Sequence, residues 1–391
     1  MKRSLWGRFA LILTVALCAV LAGGASRVVQ DQCGPFTDVT PGFCPYILEI
    51  YYLGITVGTS ATTFSPDEPL TRGQGAVFVA KGINQTLARS SRRAALGQWW
   101  TTQGETGLGL TAVESPQNAV SDGADIWVTS STGVARVRAS DGKLLDIWPI
   151  DSSFGILAAM GRIFVTTISP NALYMIDPSQ PPGPVTPVAD LRPGPTALAF
   201  DGSRIWIACE SGAVEIVTPN GPPPWTVTEL TTGFTQPLGI LFDGRNIWVT
   251  DEAANTLLKL DSDGAILQTV EVGVLPAFPT FDGSNIWVPN VASGSVSIVR
   301  ASDGSIVGTI SPINRPEAAA FDGERVLITQ QAPDTIIPGQ VSLFRASDLT
   351  FLTAWATVSP TPPDFNTPGG VCSDGVNFWV TFSDTGEIAR F

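Results

Sequence analysis

The side chains that could do chemistry in this 391-residue chain are mainly carboxylates, because the sequence contains no histidine. Histidine is the commonest general base near neutral pH and the commonest metal ligand, so Ser-His-Asp and Cys-His catalysis are excluded. Neither a Gly-x-Ser-x-Gly elbow nor a Gly-x-x-x-x-Gly-Lys phosphate loop is present. Carboxylate, tyrosine or calcium chemistry remains, and we expect no cofactor and no bound metal.

One phrase, "FDGSNIWVPN", recurs in near-copies at intervals of about 40 residues. Its Asp-Gly pair begins at Asp122, Asp201, Asp243, Asp282, Asp322 and Asp374, with Met160 in the second copy. Seven such units, each rich in strands and turns, predict an all-β fold, a seven-bladed β-propeller with one four-stranded blade per unit. Since the last unit ends after three strands, a strand near residues 105–112 should complete it.

The positions that vary among the units are the better candidates for function. After the second strand of each unit come Ser130, Thr167, Glu210, Asp251, Asn290, Gln330 and Phe382. Such loops cluster around one mouth of a propeller channel, so we predict a ligand site there, formed by Glu210, Asp251, Glu252, Asn290 and Gln330. A peptide, a glycan or another protein would fit these side chains. The alternatives are ordinary polar loop residues, or paired carboxylates that cleave a glycoside.

The positions that repeat are better explained by architecture. The aspartates suit the turn, where Asp accepts hydrogen bonds from nearby backbone amides. A large apolar side chain then follows at one position in each unit, where it can fill the gap between blades. These residues are Trp127, Phe164, Trp206, Trp248, Trp287, Leu327 and Trp379. A sialidase-type tyrosine nucleophile would have to be Tyr174, whose surroundings do not favour it.

The chain is acidic and carries an export signal. With 22 basic and 35 acidic residues its net charge is −13, which disfavours binding to nucleic acid. Residues 1–25 have a basic start, an apolar run and small residues, which is typical of a signal peptide. The run is short for a membrane-spanning helix, so we expect an exported protein without a span after cleavage. Its place would be the cell envelope, the cell surface or the periplasm.

The cysteines are interpreted in that oxidising compartment. Cys33 and Cys44 close a short loop, and we predict a disulfide between them. Cys209 and Cys372 lie in different repeats at different strand positions, so we expect two buried free thiols.

The segment before the repeats has a helical pattern. Pro45 suits the first position of a helix whose apolar residues follow at helical spacing. Thr71 and Gln74 form a capping box ahead of a second helix. Residues 31–83 therefore predict a small helix-loop-helix module.

This module resembles the S-layer homology domain. The matching residues are Phe36, Asp38, Val39, Pro45, Tyr46, Gly54, Ile55, Gly58, Phe64, Pro66, Leu70, Thr71 and Arg72. The resemblance implies non-covalent attachment to cell-wall or envelope polysaccharide, with Arg72 meeting acidic groups of the polymer and Asp38 as a second binding residue. Alternatively, Asp38 and Arg72 cap helix ends or pair with each other.

The repeats resemble the YVTN-type propellers of exported and surface-layer proteins, which supports the fold more than any one role. We therefore expect a signal peptide at 1–25, the module at 31–83, a linker at 84–105 and the propeller at 106–391. The predicted function is an envelope protein whose module attaches to polysaccharide and whose propeller is a binding scaffold. The alternatives are a histidine-free, carboxylate-dependent lyase or glycosidase, and a structural surface-layer component.

Overall fold

The computed structural model describes residues 33, 35–40, 43–52, 55–88, 108–139, 142–332, 339–357 and 367–391. The chain divides into two compact units, Met1–Trp100 and Thr101–Phe391, and each is described by itself. The predicted signal peptide, residues 1–25, and residues 89–105 of the predicted linker lie outside the described residues. Among the helices described, none combines the length and the apolar character needed to cross a membrane.

The first unit contains helices α1 (Cys44–Tyr52) and α2 (Arg72–Ala88). The capping box forms at the start of α2. The backbone N–H of Gln74 donates to Thr71 Oγ1 at 3.2 Å, and the N–H of Thr71 donates to Gln74 Oε1 at 2.9 Å. This reciprocal pair satisfies amide groups that have no partner inside the helix, and so it determines where α2 begins.

A small aromatic cluster holds this unit together. Phe36 is buried, and its ring packs edge-on against Tyr51 at 5.2 Å and Phe64 at 5.6 Å between centroids. Gly58 has a φ of +82°, and a Cβ there would lie 2.5 Å from Phe36 Cε1. Glycine is thus required at this position for two reasons. The backbone is left-handed, and a side chain would collide with the ring of Phe36.

The second unit is a seven-bladed β-propeller, as the repeats predict. Each blade is a four-stranded antiparallel sheet whose strands A to D run outward from the central channel. Blade 1 contains β2 (Pro116–Ser121), β3 (Asp125–Ser130), β4 (Val134–Arg138) and β5 (Leu144–Trp148); blade 2 contains β6 (Ser153–Ala159), β7 (Arg162–Ile168), β8 (Asn171–Ile176) and β9 (Thr186–Asp190); blade 3 contains β10 (Pro195–Phe200), β11 (Ile205–Cys209), β12 (Ala213–Thr218) and β13 (Thr226–Leu230).

The remaining blades follow the same order. Blade 4 contains β14 (Pro237–Phe242), β15 (Ile247–Asp251), β16 (Thr256–Leu260) and β17 (Ile266–Glu271); blade 5 contains β18 (Thr280–Phe281), β19 (Asn285–Asn290), β20 (Ser295–Arg300) and β21 (Ile306–Ile310); blade 6 contains β22 (Pro316–Phe321), β23 (Arg325–Gln330), β24 (Gln340–Arg345) and β25 (Phe351–Ala356); blade 7 contains β26 (Pro368–Ser373), β27 (Phe378–Phe382), β28 (Glu387–Arg390) and β1 (Leu108–Ala112).

The ring is closed by strands from both ends of the unit. Strand β1 pairs antiparallel with β28, with Thr111 opposite Ile388, and supplies the fourth strand of blade 7. The expected closing strand is confirmed. Closure leaves blade 7 packed against blade 1, where Trp379 lies in one core with Ile126 and Val128.

The repeated aspartate and aromatic residue form one structural unit. In five blades the indole N–H of the strand-B tryptophan donates to the carboxylate of the turn aspartate at 2.7–2.9 Å. Where phenylalanine replaces tryptophan, at Phe164, the turn holds Met160 instead of aspartate. All seven strand-B side chains at this position are fully buried, which confirms their role as filling between blades.

In five of the seven blades a threonine of strand B bonds the blade to the next one, while blades 3 and 5 have Ala208 and Pro289 at this position. Thr250 accepts a hydrogen bond from the N–H of Gly239 in its own blade and donates to the carbonyl of Ala277 in blade 5, both at 2.8 Å. Equivalent bonds to the next blade come from Thr129, Thr166, Thr329 and Thr381. These bonds satisfy backbone groups around the channel that the short A strands leave free.

Candidate functional site

The predicted ligand site lies on one face of the propeller, here called the B–C face. Strand B ends at this face and strand A begins there, since Pro316 pairs with Gln330. The A–B turns lie on the opposite face, here called the A–B face. Residues that follow strand B and residues that open strand A therefore approach one another on the B–C face.

Asp251, one of the predicted site residues, is fully buried. Its carboxylate accepts hydrogen bonds from the backbone N–H groups of Thr235 at 2.6 Å, Gln236 at 3.0 Å and Ala254 at 3.1 Å. Three amide donors satisfy most of the acceptor capacity of a carboxylate, so Asp251 holds the loops beside it. It has little capacity left for a ligand.

Asn290 and Gln330 are also buried and bonded internally. Asn290 Nδ2 lies within hydrogen-bond distance of the hydroxyls of Ser295 and Ser297. Gln330 accepts a bond from the N–H of Asn314 at 3.1 Å and donates to Ser342 Oγ at 2.6 Å. Asp251, Asn290 and Gln330 are the last residues of their B strands and not, as expected, residues of the loop that follows. They support neighbouring loops, and their burial could not be read from polarity in the sequence.

Glu210 and Glu252 keep accessible carboxylates. Glu210 is exposed, and Glu252 is partly buried with its Oε2 accepting a bond from Gln236 Nε2 at 2.9 Å. Burial, followed by the negative charge of Glu210, raises the pKa of Glu252 above its ordinary value. Glu210, from blade 3, thus lies close enough to Glu252, from blade 4, for its charge to act on that carboxyl.

A third carboxylate, Glu317, was not found from the sequence. It is the second residue of β22, where it opens strand A of blade 6. Burial, followed by the charge of Glu252, raises the pKa of Glu317 to about 7, while Arg315 acts in the opposite direction. Glu317 Oε2 accepts a bond from Gln331 Nε2 at 3.0 Å, and Gln331 Oε1 accepts one from Arg315 at 3.1 Å.

A signal for Glu317 was present in the repeat. The corresponding residue of strand A is uncharged in the other blades: Gln117, Phe154, Thr196, Leu238, Ala277 and Gly369. A single carboxylate among seven positions that line a channel breaks the pattern, as functional residues in repeat proteins commonly do. The B–C face therefore carries an acidic group made of Glu210, Glu252 and Glu317.

The channel behind this acidic group is narrow. A cavity of about 140 Å³ lies among the A strands, lined by residues that include Asn118, Thr196 and Phe278. That volume holds a few water molecules but no sugar ring or peptide. A ligand of the B–C face would accordingly rest on the surface of the mouth.

Other potentially reactive side chains are part of the packing of the propeller. Glu215, almost fully buried, accepts bonds from the N–H of Arg192 at 3.1 Å and from Cys209 Sγ at 3.3 Å. Burial, reinforced by Glu215, raises the pKa of the Cys209 thiol, so the reactive thiolate is disfavoured. Tyr174 packs against the core between blades 1 and 2. Cys372 is also free, but it is half-buried, not buried as expected.

The first unit contains the predicted polymer-binding residues. Asp38 accepts hydrogen bonds from the N–H groups of Phe64 at 2.9 Å and Ser65 at 2.7 Å, and these bonds lower the pKa of its carboxyl. Asp38 therefore holds the loop that precedes α2. Arg72 is exposed at the first residue of α2. A disulfide joins Cys33 and Cys44, with 5.3 Å between their Cα atoms.

Metal chemistry has no evident site in the described part of the chain. There, no group of three or more acidic or cysteine side chains is placed to hold a metal ion. Asp261, which begins an acidic turn of the sequence Asp-Ser-Asp-Gly, accepts bonds from the N–H groups of Asp263 and Ala265, both at 2.9 Å. Its carboxylate serves the turn.

Comparison with known proteins identifies the first unit. Residues 35–76 match the S-layer homology domain family. The chain is 34% identical over 84 residues to an endoglucanase from Bacillus sp. (strain KSM-635), a match that covers 21% of this chain and 9% of that protein. The chain thus spans less than a tenth of the relative's length. An S-layer homology domain implies anchoring at a cell surface.

Solved structures similar to this chain are propellers. A virginiamycin B lyase from Staphylococcus aureus has a TM-score of 0.59 and 16% identity, covering 72% of this chain and 97% of that one. A variant of that lyase, described as catalytically inactive with a histidine changed to alanine, gives 0.56 at 16% identity over 72% and 98%. A chain of a mitotic checkpoint complex gives 0.58 at 13% identity over 75% and 98%.

These likenesses are too distant to show more than the fold. Fold and family match together define a protein of two parts, an S-layer homology domain followed by a seven-bladed propeller. The propeller is the larger part, and a scaffold of this kind serves interactions through its faces and loops.

Proposed function

We propose that this chain is an exported envelope protein whose first unit attaches to envelope polysaccharide and whose propeller binds a partner at the B–C face. The observation that carries the proposal is the family match at residues 35–76, in which the motif arginine, Arg72, is exposed at the start of α2. A guanidinium in that position is accessible to carboxylate or other acidic groups of a polymer. Asp38 supports the adjoining loop.

The attachment is tested by sedimentation of the purified chain with purified envelope. Arg72→Ala should reduce the bound fraction by about tenfold, because it removes a charge-assisted contact. Lys81→Ala is the matched control, since it removes an exposed cation from the same helix. Removal of residues 31–83 should abolish binding. If that deletion variant still sediments with envelope, attachment through this unit is refuted.

For the propeller, the acidic group of Glu210, Glu252 and Glu317 favours a partner that donates hydrogen bonds or carries positive charge. Such a partner would gain charge-assisted bonds at the mouth without entering the narrow channel. A triple change of the three carboxylates to glutamine should abolish capture of a basic partner while leaving attachment to envelope intact.

A second function is favoured by one observation. Glu317, with its pKa near 7, and Glu252 beside it form a pair of carboxylates suited to general acid and base roles. A lyase or glycosidase that uses carboxylates alone would fit a chain without histidine. Turnover of a glycan or peptide panel, lost in Glu317→Gln, would establish this function in place of simple binding.

A further inference from the structure

A large cavity opens on the A–B face, between blades 4 and 5 and away from the acidic mouth. Its volume is about 670 Å³, and its lining comes from the A–B turns of both blades, from strands C and D of blade 4 and from the C–D turn of blade 5. Three of the lining residues are cations, Arg245, Lys259 and Arg300. In a chain of net charge −13, such a concentration of positive charge is unexpected.

The positive charge in this cavity is only weakly compensated. Arg245 is exposed and forms no ion pair with any residue that the structure describes. Lys259 lies over the ring of Trp248 at 5.0 Å and donates to the carbonyl of Ala301 at 2.8 Å, a neutral acceptor. Arg300 pairs at 3.4 Å with Asp303, an exposed contact of small strength.

The one carboxylate in the lining is already engaged. Asp243 accepts bonds from the indole of Trp248 at 2.8 Å and from the backbone N–H groups of Arg245 and Asn246. These bonds hold it in the turn, and it forms no ion pair with Arg245, Lys259 or Arg300. The cavity therefore presents three cations to a ligand, while the carboxylate of the turn aspartate is engaged in hydrogen bonds within the turn.

The seven blades provide an internal comparison for these positions. Three positions are compared at each junction. The first blade supplies the residue three before its strand-B aromatic position, such as Arg245, and the strand-C residue that pairs with that aromatic position, such as Lys259. The following blade supplies the residue that comes two after the strand-C partner of its own aromatic position, such as Arg300. Starting from the junction of blades 1 and 2, they hold Ala124, Arg136 and Asp177; Gly161, Met175 and Thr218; Ser203, Ile216 and Asp261; Arg245, Lys259 and Arg300; Ser284, Ile298 and Arg345; Glu324 and Leu343; Val376, Arg390 and Arg138.

Among the described residues, all three positions are basic at one junction, the one that forms the cavity. Elsewhere a single cation is enough to bridge two blades, as Arg136 does by donating to the carbonyl of Pro178. The structural need of a junction is thus met without Arg245 and Arg300. The stability of the junction therefore does not explain why Arg245 and Arg300 are present.

The rest of the lining indicates what kind of anion fits. Leu267 and Phe281 form an apolar wall, and Ser284, Asn285 and Ser302 add hydroxyl and amide groups. A mixture of cations, small hydrogen-bonding side chains and an apolar surface suits a sugar that carries a carboxylate, with ring C–H groups on the apolar wall. Extended nucleic acid would meet the repulsion of the acidic chain around this site.

We propose that the cavity between blades 4 and 5 binds an anionic saccharide of the uronic acid class through Arg245, Lys259 and Arg300. All lining residues of this site belong to the propeller, and they lie on the face opposite the B–C face. It would allow the propeller to contact an acidic glycan independently of attachment through Arg72.

The test uses the full chain and calorimetric titration with trigalacturonate at about 50 mM salt, where exposed charges interact most. Arg245→Ser should weaken binding by about tenfold or more, and the turn tolerates serine, as Ser203 and Ser284 show at the same position. Arg300→Thr should act likewise. Arg345→Thr, the same position in blade 6, is the control and should bind as the parent does.

Several outcomes would overturn the proposal: no binding of trigalacturonate by the parent chain, equal binding by Arg245→Ser, or equally tight binding of neutral maltotriose. Equally tight binding of a short poly-glutamate peptide would refute the saccharide class. An Arg72→Ala chain that loses trigalacturonate binding while Arg245→Ser retains it would place the ligand on the first unit. That last result would leave the proposed attachment standing, so the two proposals fail separately.

Discussion

The pKa of Glu317 predicts a pH-dependent loss of propeller stability. The pKa is about 7 in the folded chain against 4.5 for an ordinary glutamate, because burial and Glu252 disfavour its charged form. The folded chain therefore binds this proton more tightly than the unfolded chain does. Each pKa unit corresponds to about 1.4 kcal/mol. The difference between the two pKa values therefore lowers the free energy of unfolding by up to about 3 kcal/mol at a pH above both of them.

The sign follows from which state holds the proton. Below pH 4.5 Glu317 is protonated in both states, and its contribution to stability is fully present. Between pH 4.5 and 7 the unfolded chain releases the proton first, so the free energy of unfolding falls as the pH rises. Above pH 7 the loss is complete.

The perturbation is Glu317→Gln, which keeps an oxygen acceptor for Gln331 and removes the titration. We expect the variant to match the parent near pH 4.5 and to exceed it by up to about 3 kcal/mol near pH 8. Urea unfolding at a series of pH values, followed by tryptophan fluorescence, measures the difference. Glu271→Gln is the control, because Glu271 is exposed on the outer strand β17. Parallel pH profiles of the free energy of unfolding for the parent and Glu317→Gln would show that Glu317 does not cause this pH dependence.

Three further predictions concern the fold. Thr250→Val should destabilise the propeller by about 2–4 kcal/mol in urea unfolding, because it leaves two buried backbone groups without hydrogen-bond partners. Thr228→Val, at an exposed threonine, is the control, and an equal effect of the two changes would contradict this prediction. Asp282→Ala should cost about 1–3 kcal/mol and alter the fluorescence of Trp287, whose indole loses its acceptor; an unchanged spectrum and midpoint would argue against the pairing. Cys33→Ser should destabilise the first unit by about 3 kcal/mol, seen as faster amide exchange in α1, and equal exchange with and without the disulfide would disprove it.

Much of the architecture was predictable because the same demand recurs seven times. Each blade needs a tight turn before strand B and a large side chain between sheets, so Asp282 and Trp287 reappear at a constant spacing. The capping box of Thr71 and Gln74 is equally local, and it marks the start of α2 correctly. Such features depend on neighbours along the chain.

The candidate site was less predictable because its burial depends on loops from adjacent blades. Asp251 and Gln330 have the composition of ligand-binding residues, yet the loops that precede blades 4 and 6 close over them with backbone amides. Conversely, Glu317 lies in strand A, outside the positions predicted for the site, and its proximity to Glu252 depends on how the blades are arranged in a ring.

Sequence alone was enough to predict the number of blades, the closing strand, the small helical unit and the exclusion of histidine chemistry. These follow from spacing, turn residues and composition, which are properties of the chain alone. The folded arrangement was needed to show which polar side chains are hydrogen-bonded to backbone amides, which carboxylates lie near one another and where three cations meet around one cavity. Those outcomes depend on burial and on distances between residues far apart in the chain, and neither is encoded in local pattern.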